Sequence, residues 1–84
     1  MTGTEIIKRL RERGFQLEHL TVNPDRVAKF LGSTEGASSE QLKQGFERLV
    51  SMAERGINDF GRNATNILEI AEIIDCLEAR LQGQ

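Results

Sequence analysis

An 84-residue chain with no Trp, no Tyr and four Phe holds one domain, because a chain of this size buries only roughly 60% of the surface it exposes when unfolded. Its 38% hydrophobic content is enough to fold but supplies few large side chains for a deep substrate pocket. A net charge of -2 gives no whole-protein attraction to nucleic acid or an anionic membrane, although residues 1–30 carry six Lys or Arg against four acids and the remainder five against nine.

Gly and Ser divide the sequence into four segments whose ends carry helix start and stop chemistry, so the expected fold is an all-α, four-helix single domain with helices at about 3–13, 24–31, 39–55 and 64–82. The first begins at Thr2-Gly3-Thr4-Glu5, a capping box in which the Thr2 hydroxyl accepts from the Glu5 N–H and the Glu5 carboxylate reaches back. Ile6, Ile7 and Leu10 form its apolar stripe, and Gly14 followed by Phe15 suits a Schellman ending.

Residues 15–22 alternate polar and apolar on two parities, which fits either a short strand or an extended connector. A strand here needs a partner, and residues 26–31 are the candidate, paired through a hairpin at Asn23-Pro24-Asp25. The capping chemistry favours a second helix instead: Asn23 is a strong N-cap, Pro24 suits the first helical position, and Val22 and Val27 have the spacing of a hydrophobic staple. Gly32 is the expected end of that helix.

Ser38 to Gln41 is a second capping box, and Leu42, Phe46, Leu49, Val50 and Ala53 follow at helical spacing. Gly45 within this helix either permits a close crossing or is incidental; Gly56 is expected to end the helix, with Ile57 folding onto Met52. After a connector carrying Phe60, Asn63 or Thr65 can cap the last helix. Its seam of Ile67, Ile70, Ile74, Leu77 and Leu81 has 3-4-3-4 spacing, while Leu68, Ile73 and Cys76 lie outside it. So wide an apolar face belongs to a helix central in the bundle or shared between two subunits. The acids Glu69, Glu72, Asp75 and Glu78 recur along the same helix and read as a solvated face, because a hard-cation site needs ligands converging on one point.

Chemistry-bearing constellations are sparse. The one His and the one Cys, His19 and Cys76, lie on distant segments, and Cys76 is expected to pack on an apolar face. Zinc-type Cys/His spacings are missing, as are a Walker loop and a GxGxxG turn, so the chain is expected to be no enzyme and to need no cofactor or metal. No apolar run approaches the ~20 residues that cross a bilayer, and the N-terminal segment has no secretory pattern, so a cytoplasmic setting without membrane attachment is expected.

Val27-Ala28-Lys29-Phe30-Leu31-Gly32 resembles the first helix and turn of a helix-turn-helix, with Val27 and Leu31 as core contacts. The resemblance implies a DNA-binding regulator built on residues 24–48. Against it stand a five-residue loop after Gly32, Ser33 and Ser38 where the motif wants apolar residues, and Glu40 and Glu47 beside Lys43 and Arg48 on the would-be reading helix. Ile6 to Leu17 resembles the opening helix and following strand of docking domains from nonribosomal-peptide and polyketide assembly lines; a hairpin over residues 15–31 would complete the helix-hairpin-helix order.

The expected function is that of a small, non-enzymatic protein-interaction domain: an adaptor, inhibitor or regulatory subunit. It is expected to form a homodimer or other homo-oligomer through Ile67, Ile70, Ile74, Leu77 and Leu81, with Lys8, Arg9, Arg11 and Arg13 selecting an acidic counterpart. Nucleic-acid binding through the same basic helix or the degenerate helix-turn-helix stands second.

Overall fold

Four helices and no strand are present among residues 2–59 and 64–83, which the computed structural model describes: α1 (Gly3–Glu12), α2 (Pro24–Ser33), α3 (Ser39–Asn58) and α4 (Ala64–Gln82). Their boundaries follow from hydrogen bonding at their ends. At the start of α1 the Thr2 hydroxyl accepts from the Glu5 N–H at 3.2 Å. At its close Gly14 is left-handed, with φ of 90°; its N–H donates to the Arg11 carbonyl and the Phe15 N–H to the Leu10 carbonyl. That pair of bonds is a Schellman ending.

The connector that follows has no strand. Leu17 is buried, Phe15, Leu20 and Val22 are half-buried, and a turn joins the Leu20 N–H to the Leu17 carbonyl. Alternation on two parities therefore reflects a connector that packs its apolar side chains against the core rather than one face of a sheet. The hairpin alternative falls with it, because its second strand is helical: the Asn23 side chain accepts from the Asp25 N–H at 3.0 Å, and Pro24 opens α2.

Two glycines act differently from expectation. Gly32 does not end α2, which runs on to Ser33; the Ser33 and Thr34 hydroxyls donate back to the Phe30 and Leu31 carbonyls at 2.6 and 2.7 Å, and the left-handed residue is Gly36, φ 80°. Hydroxyl donors thus satisfy the last carbonyls that a glycine turn would otherwise serve. Gly56 does not end α3 either. The helix continues to Asn58, Ile57 turns into the core rather than onto the exposed Met52, and a Cβ on Gly56 would lie 2.9 Å from Ile67 Cδ1. Gly56 is the glycine at a close helix approach, whereas a methyl group added to Gly45 would meet nothing within 4 Å.

The second capping box forms in full, Gln41 N–H to Ser38 Oγ at 3.1 Å and Ser38 N–H to Gln41 Oε1 at 3.0 Å. At about 1.5 Å per residue the 20 residues of α3 span roughly 30 Å, against a longest molecular dimension of 38 Å. Thr65 lies inside α4 rather than capping it; Asn63 and Phe60 fall outside the described residues.

The arrangement centres on α4. α1, α2 and α3 each pack against it, α1 also touches α3, and α2 touches neither α1 nor α3. The Arg13 guanidinium donates to Asn58 at the end of α3, Gly56 of α3 meets Ile67 near the start of α4, and Arg26 and Leu31 of α2 meet Glu69 and Arg80 of α4 in that order. Consecutive helices therefore alternate in direction. Ile6 and Leu10 of α1 and Ile74 and Leu77 of α4 are the most completely enclosed large side chains, and each such burial contributes about 1.5–3 kcal/mol.

One contact fixes how α1 meets α4. The Gly3 N–H, an orphan donor in the first turn of α1, donates to Asp75 Oδ1 at 2.8 Å, so α4 caps α1 across the interface. Gly3 is buried, and a Cβ there would fall within 2.7 Å of the Ala71 carbonyl oxygen and closer still to the Asp75 carboxylate. Backbone does not yield as a flexible side chain does, so only glycine fits.

Two of the helical glycines, Gly3 and Gly45, are thus expected to respond to alanine in opposite ways. Gly3→Ala should lower stability by about 1–3 kcal/mol through overpacking against α4. Gly45→Ala should raise it by about 0.5–1 kcal/mol, the ordinary helix-propensity gain in open space. Urea denaturation followed by circular dichroism reads both, and equal shifts for the two would contradict the packing described.

Candidate interaction surfaces

Most of the α4 seam is occupied by the chain itself. Ile67, Ile74 and Leu77 are between 0 and 3% exposed, whereas Ile70 and Leu81 are only half-buried at the edge of the core. Ala71 and Ile73, outside the predicted seam, are also buried. A one-partner seam does not account for these residues: α4 is central in the bundle, with three helical neighbours whose combined footprint buries a wider arc than a heptad stripe. The breadth of the apolar face is therefore satisfied within one chain. What α4 leaves for a second copy is an edge formed by Ile70, Leu81 and the half-buried Leu68.

The acidic strip is not uniformly solvated. Asp75 caps α1, and Glu69 is buried, 3.7 Å from the Arg26 guanidinium of α2. Glu78 accepts from Gln82 at 3.4 Å, and Glu72 is exposed. Two of the acids are therefore ties between helices, an outcome set by which residues lie opposite them and invisible in their spacing along α4. Cys76 is exposed instead of packed; His19, in the connector, is exposed as well. Cys76 sits with Glu72 and Ala79 on the open arc of α4, which no neighbouring helix covers.

The basic residues of α1 are solvent-facing. Ile6 and Leu10 point inward, leaving Lys8, Arg9 and Arg11 exposed together with Arg13 just beyond the helix. Thr4, Ile7, Lys8, Arg11 and Glu12 line a shallow depression along one side of α1, with half-buried Ile7 as its apolar floor. Arg11 lies 3.9 Å from Glu18, but both side chains are well exposed, so this pair restrains Arg11 little. On α2, Arg26, Lys29, Phe30 and Ser33 line a second depression, and Phe30 is 36% exposed.

The helix-turn-helix resemblance meets a geometric obstacle. In that motif the two helices pack on one another to hold the reading helix, but α2 and α3 make no contact here. Among the described residues, no group of three or more His, Cys, Asp or Glu side chains converges as a metal site, and no helix is long and apolar enough to cross a membrane. Comparison with protein-family models, curated proteins and solved structures finds no match to any of them.

The two Ile residues of the α4 seam separate folding from association. Ile74→Asp places a carboxylate at a fully enclosed position and is expected to unfold the chain. Ile70→Asp, at the edge, should leave the helical circular-dichroism signal intact. If α4 also serves a homodimer, Ile70→Asp should shift sedimentation from dimer to monomer; an unchanged dimer would exclude this edge as its interface.

Proposed function

We propose that this chain is a small, non-enzymatic protein-binding domain whose outer α1 surface docks an acidic partner segment. The observation that carries the reading is the depression in which Ile7 provides an apolar floor and exposed Lys8 and Arg11 provide the rim. Thr4, Ile7, Lys8 and Arg11 share one helix face at i, i+3, i+4 and i+7, so an amphipathic segment laid along it would meet apolar surface and positive charge together. Arg9 and Arg13 extend the positive field and would speed encounter more than they add affinity.

Association with a second copy through Ile70, Leu81 and Leu68 is the self-binding form of the same proposal. It no longer draws on the width of the α4 face, because Ile67, Ile74 and Leu77 already serve the core. A reducing, cytoplasmic location belongs to the proposal too and suits the single exposed thiol of Cys76.

A charge-reversal variant tests the docking surface. Lys8→Glu with Arg11→Glu should preserve helicity, since both side chains are exposed, and abolish salt-sensitive retention of a partner that the wild-type chain holds on a column. The purified partner should then bind the wild-type chain at least about tenfold more tightly than the variant, a difference of ~1.4 kcal/mol. Retention unaffected by the double reversal would refute the α1 surface. Retention of duplex DNA or RNA by the wild-type chain, lost in the variant and falling steeply with salt, would replace the protein partner with a nucleic acid.

A further inference from the structure

We infer that α2 is a strap that opens and closes over α4 as a unit while α1, α3 and α4 remain packed. α1 and α2 have ten residues each, yet Gly3, Ile6 and Leu10 are buried in α1 and only Val27 in α2. α2 touches a single helix, whereas α1 touches both α3 and α4. Its one aromatic residue, Phe30, faces outward between Arg26 and Lys29 instead of inward. A helix with one neighbour and little enclosed apolar surface opens at lower free energy than the core it lies on.

Besides Val27 and the half-buried Leu31, the ties between α2 and α4 are polar and lie toward the two ends of the strap. Arg26 approaches Glu69 at 3.7 Å from a side chain that is 66% exposed, and Arg80 donates to the Leu31 carbonyl at 3.4 Å and to the Thr34 hydroxyl. Solvent can replace each of these bonds on opening. On either side of the strap the connectors contain a left-handed glycine, Gly14 and Gly36, each with open space around it. Of the two, Gly36 can serve as a pivot; between Gly14 and α2 the connector is held on the core by buried Leu17 and half-buried Phe15, Leu20 and Val22, so on that side the strap swings only beyond Val22.

Opening has a defined consequence on α4. Glu69, Ile73 and Arg80 lie on one strip of that helix, four and seven residues apart, and the contacts at Glu69 and Arg80 place α2 along it. Ile73 is 7% exposed in the closed arrangement. Release of α2 would uncover it between a carboxylate and a guanidinium freed of their partners, a surface hidden while the strap is shut. This holds whether or not the α1 surface binds an acidic partner.

Native-state hydrogen exchange on the full chain decides the matter. The amides of Ala28 to Ser33 should be protected at least about tenfold less than those of Ala53, Ile74 and Leu77, and their exchange should depend only weakly on low urea, the signature of a small local opening. Val27→Ala and, separately, Arg80→Met should accelerate exchange in α2 several-fold while leaving the ratios among α1, α3 and α4 unchanged. If α2 amides share the protection and urea dependence of Ile74 and Leu77, or if either variant speeds all four helices equally, α2 unfolds with the core and the strap does not exist.

Discussion

Enclosure of α4 by three other helices is the constraint from which the rest of this structure follows. A nineteen-residue helix with so wide an apolar face leaves that face in water unless it is covered on several sides. α1, α2 and α3 supply that cover, and the side chains at the centre, Ile6, Leu10, Ile74 and Leu77, come from α1 and α4. Among the described residues nothing is layered behind the three outer helices, and their outward faces are exposed.

The three covering helices are held by different means. α3 is long and brings Leu42, Leu49, Ala53 and Ile57 to the core, with Gly56 allowing its backbone close to Ile67. α1 is short but is pinned at its first turn, where Asp75 accepts the Gly3 N–H and the lack of a side chain on Gly3 lets the Ala71 carbonyl approach. α2 has a single buried side chain and polar links at its ends, the weakest attachment of the three. Unequal anchoring in so small a domain distributes stability unevenly, and the least anchored element is the natural place for motion.

Surface chemistry follows from the same arrangement. Because Gly3, Ile6 and Leu10 commit one side of α1 to the core, its cations are left on the other, and Ile7 between the two sides becomes the floor of a charged depression. Because α2 commits only Val27, Phe30 stays at the surface between Arg26 and Lys29. The acids of α4 divide likewise between helix ties, in Glu69 and Asp75, and open surface, in Glu72. Positive charge on the outer helices thus coexists with a net negative chain, and recognition depends on which patch a partner meets.

All four helices are legible in the order of residues: α1, α2 and α3 because caps and endings are local, with Thr2, Asn23 and Ser38 accepting from N–H groups two or three residues away and Gly14 and Phe15 closing α1 through bonds to Arg11 and Leu10, and α4 because its apolar residues recur at helical spacing. Helical spacing likewise turns Lys8 and Arg11 away from Ile6 and Leu10, whereas Arg9 stands three residues after Ile6 and Arg13 three after Leu10, and Arg13 is exposed because the helix has ended before it. Which glycines end helices and which allow close packing is settled by the fold, because Gly32 and Gly56 carry the same local signal as Gly14 and differ in what lies nearby. The seam of α4 is settled there as well. Periodicity reports that a helix has a broad apolar face, but whether Ile74 and Leu77 meet a partner or the chain's own α1 and α3 depends on contacts between residues far apart in sequence, where spacing carries no information.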